Sequence, residues 1–188
     1  MTTLNLQVAA SSDDAFESAA AAMTLTGLTI PLAAAGQWGG LRFLNVTVPN
    51  AATINTATLQ IYIASTSNDN VYLDAYGEDV DDAATFTTSA ANISGRTLTT
   101  AKTTIGASNV GAGWYSMNVT SAVQEIINRA GWASGNALAI ILDALTSVDV
   151  QLRTWDHDTS LAAKLDIDYT VAATGLVIPR RTRTYIRM

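Results

Sequence analysis

WYSMNVTSAVQEIINRAGWASGNALAIIL (residues 114–142), followed by VDVQLRTWDHD (148–158) and KLDIDY (164–169), decides the fold class of this chain. Trp114–Val119 reads as a strand. Ser121-Ala-Val-Gln124 then has the capping-box pattern, in which the Ser oxygen accepts a hydrogen bond from the Gln124 backbone N–H. Val123, Ile126, Ile127 and Ala130 recur at helical spacing, and Gly131 stands where a helix stops, so a short helix is predicted over 121–130. Leu138–Leu142 is an almost unbroken apolar run, the composition of a central strand. Val148, Val150 and Leu152 alternate with Asp149, Gln151 and Arg153, and Leu165, Ile167 and Tyr169 alternate with Asp166 and Asp168. A period of two belongs to strands with one buried face. Strands on both sides of one short helix mark an all-β sandwich with a late helical insertion.

Upstream the same signals continue. Leu4, Leu6 and Val8 suggest a first strand, ended by the acidic turn SSDD (11–14). Leu41–Val48 reads as a strand closed by Pro49-Asn50. Thr58–Ala64 and Val71–Tyr76 alternate strictly, with Tyr62, Tyr72 and Tyr76 on the polar phase. Residues 77–113 form a long polar region in which one or two short strands are expected around Arg96–Ile105.

The composition agrees with one domain of short strands and turns. Of 188 residues, 48% are hydrophobic, but only 14% are charged and none is Cys. Disulfides, thiolate nucleophiles and Cys-type zinc sites are therefore excluded. Asp13, Asp14 and Glu17 precede the first basic residue, Arg42, which is the wrong order for a secretory signal. The uncharged span Ser18–Leu41 contains Gly27, Pro31, Gly36, Gln37, Gly39 and Gly40 and is read as strand and loop, not as a membrane helix. Up to Asp168, six basic residues stand against all sixteen acidic ones, a balance of −10. Arg180, Arg181, Arg183 and Arg187 give the last residues +4. An acidic body is a poor surface for nucleic acid, whose phosphates need the opposite sign.

The segments RFLNVTVPNAATINTATLQIYI (42–63), WYSMNVTSAVQEIINRAGWASGNALAIIL and LAAKLDIDY (161–169) together resemble the DNRLRE-type β-sandwich domains. Those domains share an "RF.NV..P" strand, a "VT..VQEI" helix start, "GW.SGN.L" and a last strand ending in Tyr. Lys164 departs from the pattern, standing where the family usually has Pro. Such domains occur in bacterial surface and exported proteins, in polysaccharide-binding settings and in phage structural proteins. The resemblance covers roughly residues 5–170 and implies a jelly-roll-like antiparallel sandwich used for binding or assembly; the sandwich domain is expected over 1–172.

Several residue groups are candidates for chemistry. His157, in Trp155-Asp156-His157-Asp158, is the single imidazole. A Ser-His-Asp triad needs that His oriented by an acid and reaching a Ser, which adjacency at a strand end does not supply. Asp156 and Asp158 lie on the same side of an extended segment, a weak metal pattern, and a solvated turn is the simpler reading. Glu78, Asp79, Asp81 and Asp82 group hard oxygens in a loop and are the candidate calcium ligands, although no EF-hand pattern is present. Tyr62, Tyr72 and Tyr76 are the candidate glycan or interface face, while Trp114 and Trp132, flanking the helix, are expected in the core.

Residues 173–188 are expected to form a basic arm. Leu176, Val177, Ile178 and Tyr185 are interleaved with Arg180, Arg181, Arg183 and Arg187, which suits docking onto a neighbour's acidic surface or sheet edge. No nucleophile elbow, phosphate-cradling Gly loop or supported His is visible, so no enzymatic activity is expected. Together these features suggest a virion structural protein of a bacteriophage, made in the host cytoplasm. A capsid decoration or cement protein is the leading form, a homo-oligomer with a trimer favoured, and its partners are capsid or other virion proteins. The competing expectation is a carbohydrate-binding module, or a tail or fibre component, that recognises a cell-surface polysaccharide.

Overall fold

The computed structural model describes residues 1–64, 69–145 and 149–172. Its strands are β1 (Thr2–Gln7), β2 (Asp14–Glu17), β3 (Met23–Thr24), β4 (Thr29–Leu32), β5 (Trp38–Phe43) and β6 (Thr53–Ile63). They continue with β7 (Asp69–Glu78), β8 (Leu98–Val110), β9 (Gly113–Asn118), β10 (Leu138–Ala144), β11 (Val150–Arg153) and β12 (Lys164–Thr170). The helix α1 (Thr120–Ile127) follows β9, and a 3-10 turn (Thr159–Leu161) precedes β12.

The strands make two antiparallel six-stranded sheets packed as a sandwich. One runs β1-β12-β6-β11-β4 with β9 added on β6; the other runs β3-β2-β5-β10-β7-β8. Ile63 pairs with both Gly113 of β9 and Leu152 of β11, and Leu59 pairs with both Met117 of β9 and Leu165 of β12. Hence β12 and β11 share one edge of β6, end to end, and β9 takes the other. From β5 to β7 and again from β8 to β11, each successive link carries the chain to the opposite sheet. That is the jelly-roll-like crossing expected of the sequence.

The alternation read from the sequence fills the space between the sheets. Leu59, Ile61 and Ile63 of β6 and Leu165 and Ile167 of β12 are buried in the same cluster as Val71 and Leu73 of β7 and Leu138, Ile140 and Leu142 of β10. Burying a Val, Leu or Ile side chain stabilises by about 1.5–3 kcal/mol. The helix adds Val123, Ile126 and Ile127 to this core.

A second, smaller cluster lies on the outer face of the β10 sheet. Residues 79–97 cross that face and bury Phe86 and Ile93 against Ala15, Ala139 and Ile141. The Phe86 ring rests on Gly40, where a Cβ would stand 2.4 Å from the ring. Only glycine leaves the space. The Arg96 guanidinium lies 4.2 Å above the same ring and donates to Glu78 at 2.6 Å.

Several local expectations are corrected. The helix runs 120–127, not 121–130, and Ser121 does not cap it; Val119 occupies the N-cap, and the Asn118 side chain accepts from the Thr120 N–H at 3.0 Å. Gln124, expected to complete a capping box, instead accepts from Ile54 N–H at 2.7 Å and donates to Ala52 C=O at 2.9 Å. A polar side chain beside the unpaired backbone of β6 is worth more there than at the helix start, because buried backbone groups need partners. The strand placed at 41–48 is Trp38–Phe43; Val46 and Val48 are buried without joining a strand. The region around Arg96–Ile105 carries one long strand, β8. As an edge strand it needs only one paired side, so its Thr-rich composition is tolerated. Ser18–Leu41 forms β3, β4 and most of β5, and no helix among the described residues is long and apolar enough to cross a membrane. Val148 and the arm, residues 173–188, lie outside the described residues.

Candidate functional site

The three tyrosines fall on two different faces. Tyr62 of β6 pairs with Trp114 of β9, and their rings meet edge to face at 5.5 Å on the outer face of the β6 sheet. Trp114, expected in the core, is 41% exposed, because β9 turns it to the same side as Tyr62. The Lys164 ammonium lies 4.2 Å above the Trp114 ring. Trp132 is buried as expected, and its indole N–H donates to Val48 C=O at 2.9 Å.

From this aromatic corner a polar surface extends across neighbouring strands. Gln60 of β6 donates to Asp166 of β12 at 2.6 Å. Asp168 accepts from Thr3 of β1 at 2.5 Å and from Thr56 of β6 at 3.2 Å. The result is a sheet face with amides, hydroxyls and carboxylates hydrogen-bonded across strands and an indole at one end.

Tyr72 and Tyr76 belong to the other sheet's outer face, on β7. Tyr72 shares a hydrogen bond with Ser108 at 2.8 Å, and Tyr76 lies beneath the Lys102 ammonium at 5.3 Å. Asp74 between them is buried and accepts from Lys102 and from Thr104, both at 2.5 Å. Burial alone would raise the Asp74 pKa, but these donors outweigh it and hold the acid below its usual range. Across β10, Asp143 is pushed up, first by its own burial and then by the charge on Asp74.

The acidic loop is occupied by arginines. Glu78 pairs with Arg96, while Asp79 and Asp81 both take Arg129, Asp81 at 2.7 Å. Asp82 accepts from the Ala137 backbone N–H at 2.8 Å. Calcium ligands must converge on one point. These four carboxylates point to three separate partners, and among the described residues no set of three or more metal-ligating side chains has the spacing to hold an ion. The arrangement ties residues 79–97 to the end of β7 and to the segment between α1 and β10.

The turn after β11 does not assemble a triad. His157 Nδ1 contacts the Arg153 guanidinium at 3.3 Å, with no acid orienting the ring. Asp158 accepts from Ser160 N–H at 2.9 Å and from its hydroxyl at 2.8 Å, and these bonds hold its pKa low. Asp156 turns instead toward Ser11, whose hydroxyl donates to it at 2.8 Å. The two acids expected on one side therefore separate, and this turn is not simply solvated.

Three carboxylates near the start of the chain are buried without having been expected to be. Asp13, Asp14 and Glu17 are each no more than 2% exposed. Asp13 holds Arg42 at 2.7 Å. Glu17 accepts from Ile93 N–H at 2.7 Å, from Ser94 N–H at 2.9 Å and from the Ser94 hydroxyl, clamping the crossing segment from its other end. Asp14 pairs in register with Leu41, an inward position, so it enters the sandwich instead of solvent. In the sequence, SSDD reads as a polar turn; both faces of β2 are covered, so alternation gave no sign that Asp14 and Glu17 are buried.

No family model and no curated protein matches this chain.

Proposed function

We propose that the chain is a structural protein of a phage virion, a decoration or cement protein that stabilises a particle by surface contact and by exchange of the basic segment 173–188. The DNRLRE-type resemblance, the acidic balance of residues 1–168 and the four arginines beyond them all favour this reading. The observation that carries it is the outer face of the β6 sheet. A sheet face whose polar groups are hydrogen-bonded across neighbouring strands, ending at an indole 41% exposed, has the make-up of a contact surface. Many such contacts across a shell would sum by multivalency. We further propose that the chain is a homo-oligomer, with a trimer favoured, and that it has no enzymatic role.

The same aromatic corner supports a second reading, a module that stacks Trp114 and Tyr62 on a cell-surface polysaccharide. A glycan array and a size-exclusion profile separate the two. In the assembly reading, removal of residues 174–188 dissociates the oligomer and the array stays blank. In the glycan reading the array is positive, Trp114→Ala and Tyr62→Ala abolish the signal, and the truncation leaves it intact.

A further inference from the structure

Two carboxylate oxygens inside this sandwich have no hydrogen-bond donor, Asp14 Oδ1 and Asp156 Oδ2. They stand at one joint. The other Asp14 oxygen accepts from the backbone N–H of Trp155, the residue next to Asp156, at 2.7 Å. The other Asp156 oxygen accepts from Ser11, three residues before Asp14, at 2.8 Å. Each acid is thus fastened to the other's segment by one oxygen, and each leaves its second oxygen shut away from water.

The surroundings offer these oxygens no cation among the described residues. Just before β2, Asp13 adds a negative charge that Arg42 of β5 neutralises; the same guanidinium also donates to Ala83 C=O at 2.7 Å. Glu17 lies on the opposite face of β2, bound to Ile93 and Ser94. The recess beside Asp14 is walled by the uncharged Phe16, Thr24, Thr29, Ile30 and Thr154. The Thr154 hydroxyl is already committed to Gly27 C=O at 2.6 Å, and Arg153 and His157 contact each other.

We propose that Asp14 and Asp156 form a proton-operated latch between β2 and the turn that follows β11, closed when Asp14 is neutral and loosened when it ionises. Neutral Asp14 leaves one negative charge at the joint instead of two and turns a bare acceptor into a donor. Ionised Asp14 puts its buried charge beside that of the half-buried Asp156, each with an unmet acceptor, which is costly in a water-poor setting. Burial, opposed by the Trp155 N–H and reinforced by the charges of Asp156 and Asp13, pushes the Asp14 acid up to about 7. The folded value is therefore raised above the unfolded one. The stabilising contribution is complete below about 3.8, the ordinary value of this acid, shrinks as pH rises from there and is lost as pH passes through about 7. The segment set free is the Ser11–Thr24 stretch, with β2 and β3 at one end of the β10 sheet.

The test is thermal unfolding of the full chain between about pH 5.5 and about pH 8.5, in EDTA and in calcium, beside Asp14→Asn and Asp156→Asn. In EDTA the wild-type Tm should fall as pH rises toward about 7 and level off above it, and amide exchange should quicken at 11–17 and 154–158. Asp14→Asn should abolish the step and melt above the wild type at the alkaline end. Asp156→Asn should shift the step to lower pH, since one charge that disfavours ionisation of Asp14 is gone. Should Asp14→Asn fail to fold, the carboxyl carbon resonance of Asp14 in the wild type is followed instead, with a midpoint expected near neutrality. A flat Tm, a step retained in Asp14→Asn, or an Asp14 carboxyl that titrates in the ordinary range would overturn the latch. Calcium that raises Tm and removes the pH step would also overturn it, by assigning the gap to a cation.

Discussion

Replacing Phe86 by alanine removes the side chain that seats residues 79–97 on the outer face of the β10 sheet. Phe86 is 1% exposed, its ring is in contact with Gly40, and Arg96 stacks above it. Burial of an aromatic ring and the cavity left by its loss set the cost at about 3–5 kcal/mol. At about 2–4 °C per kcal/mol for a chain of this length, Tm falls by roughly 10 °C. Gly40→Ala attacks the same contact from below. The new Cβ would lie 2.4 Å from Cζ and 2.7 Å from Cε1 of Phe86, a ring covered on its other side by Arg96. Overpacking of this kind costs about 1–3 kcal/mol. The two changes should not add: with the ring gone, the alanine methyl has space, and the double variant should recover about 1–3 kcal/mol relative to the sum. Urea unfolding of the four proteins measures this coupling. Additive costs, or a Phe86→Ala penalty below about 1 kcal/mol, would refute the idea that this ring fixes the crossing segment.

Arg96→Ala should destabilise by about 3–5 kcal/mol in urea unfolding, since it strands Glu78 in a buried site where both partners are 8% exposed. Arg96→Lys should not restore it, because the guanidinium also donates to Asn92 C=O at 2.8 Å and Ala84 C=O at 2.9 Å, a fork that an ammonium cannot reproduce. Trp132→Phe leaves Val48 C=O without its indole donor and should cost about 1–3 kcal/mol by the same assay.

The sequence carried the sandwich because alternation is a local signal. Leu59/Ile61/Ile63 and Leu165/Ile167/Tyr169 could each be assigned a face from their own neighbours, and both assignments hold. Trp114 could not, since an aromatic beside a helix looks like core until the strand register with Tyr62 is known. The same limit hid the acidic residues. Asp14 and Asp156 lie far apart in the chain, and only the approach of β2 to the turn after β11 makes one's surroundings depend on the other. Glu78, Asp79, Asp81 and Asp82 looked like a ligand set because their arginine partners, Arg96 and Arg129, are distant in sequence. A long polar stretch likewise concealed Phe86 and Ile93, two apolar residues whose burial depends on a sheet face built elsewhere.

The central claim, assembly through surface contacts and the basic segment, is tested most directly by light scattering after size exclusion on the full chain and on a version ending at Ala173. The account predicts a closed oligomer, with a trimer favoured, for the full chain and a folded monomer for the shortened one. Identical monomers in both runs would contradict self-assembly through residues 174–188.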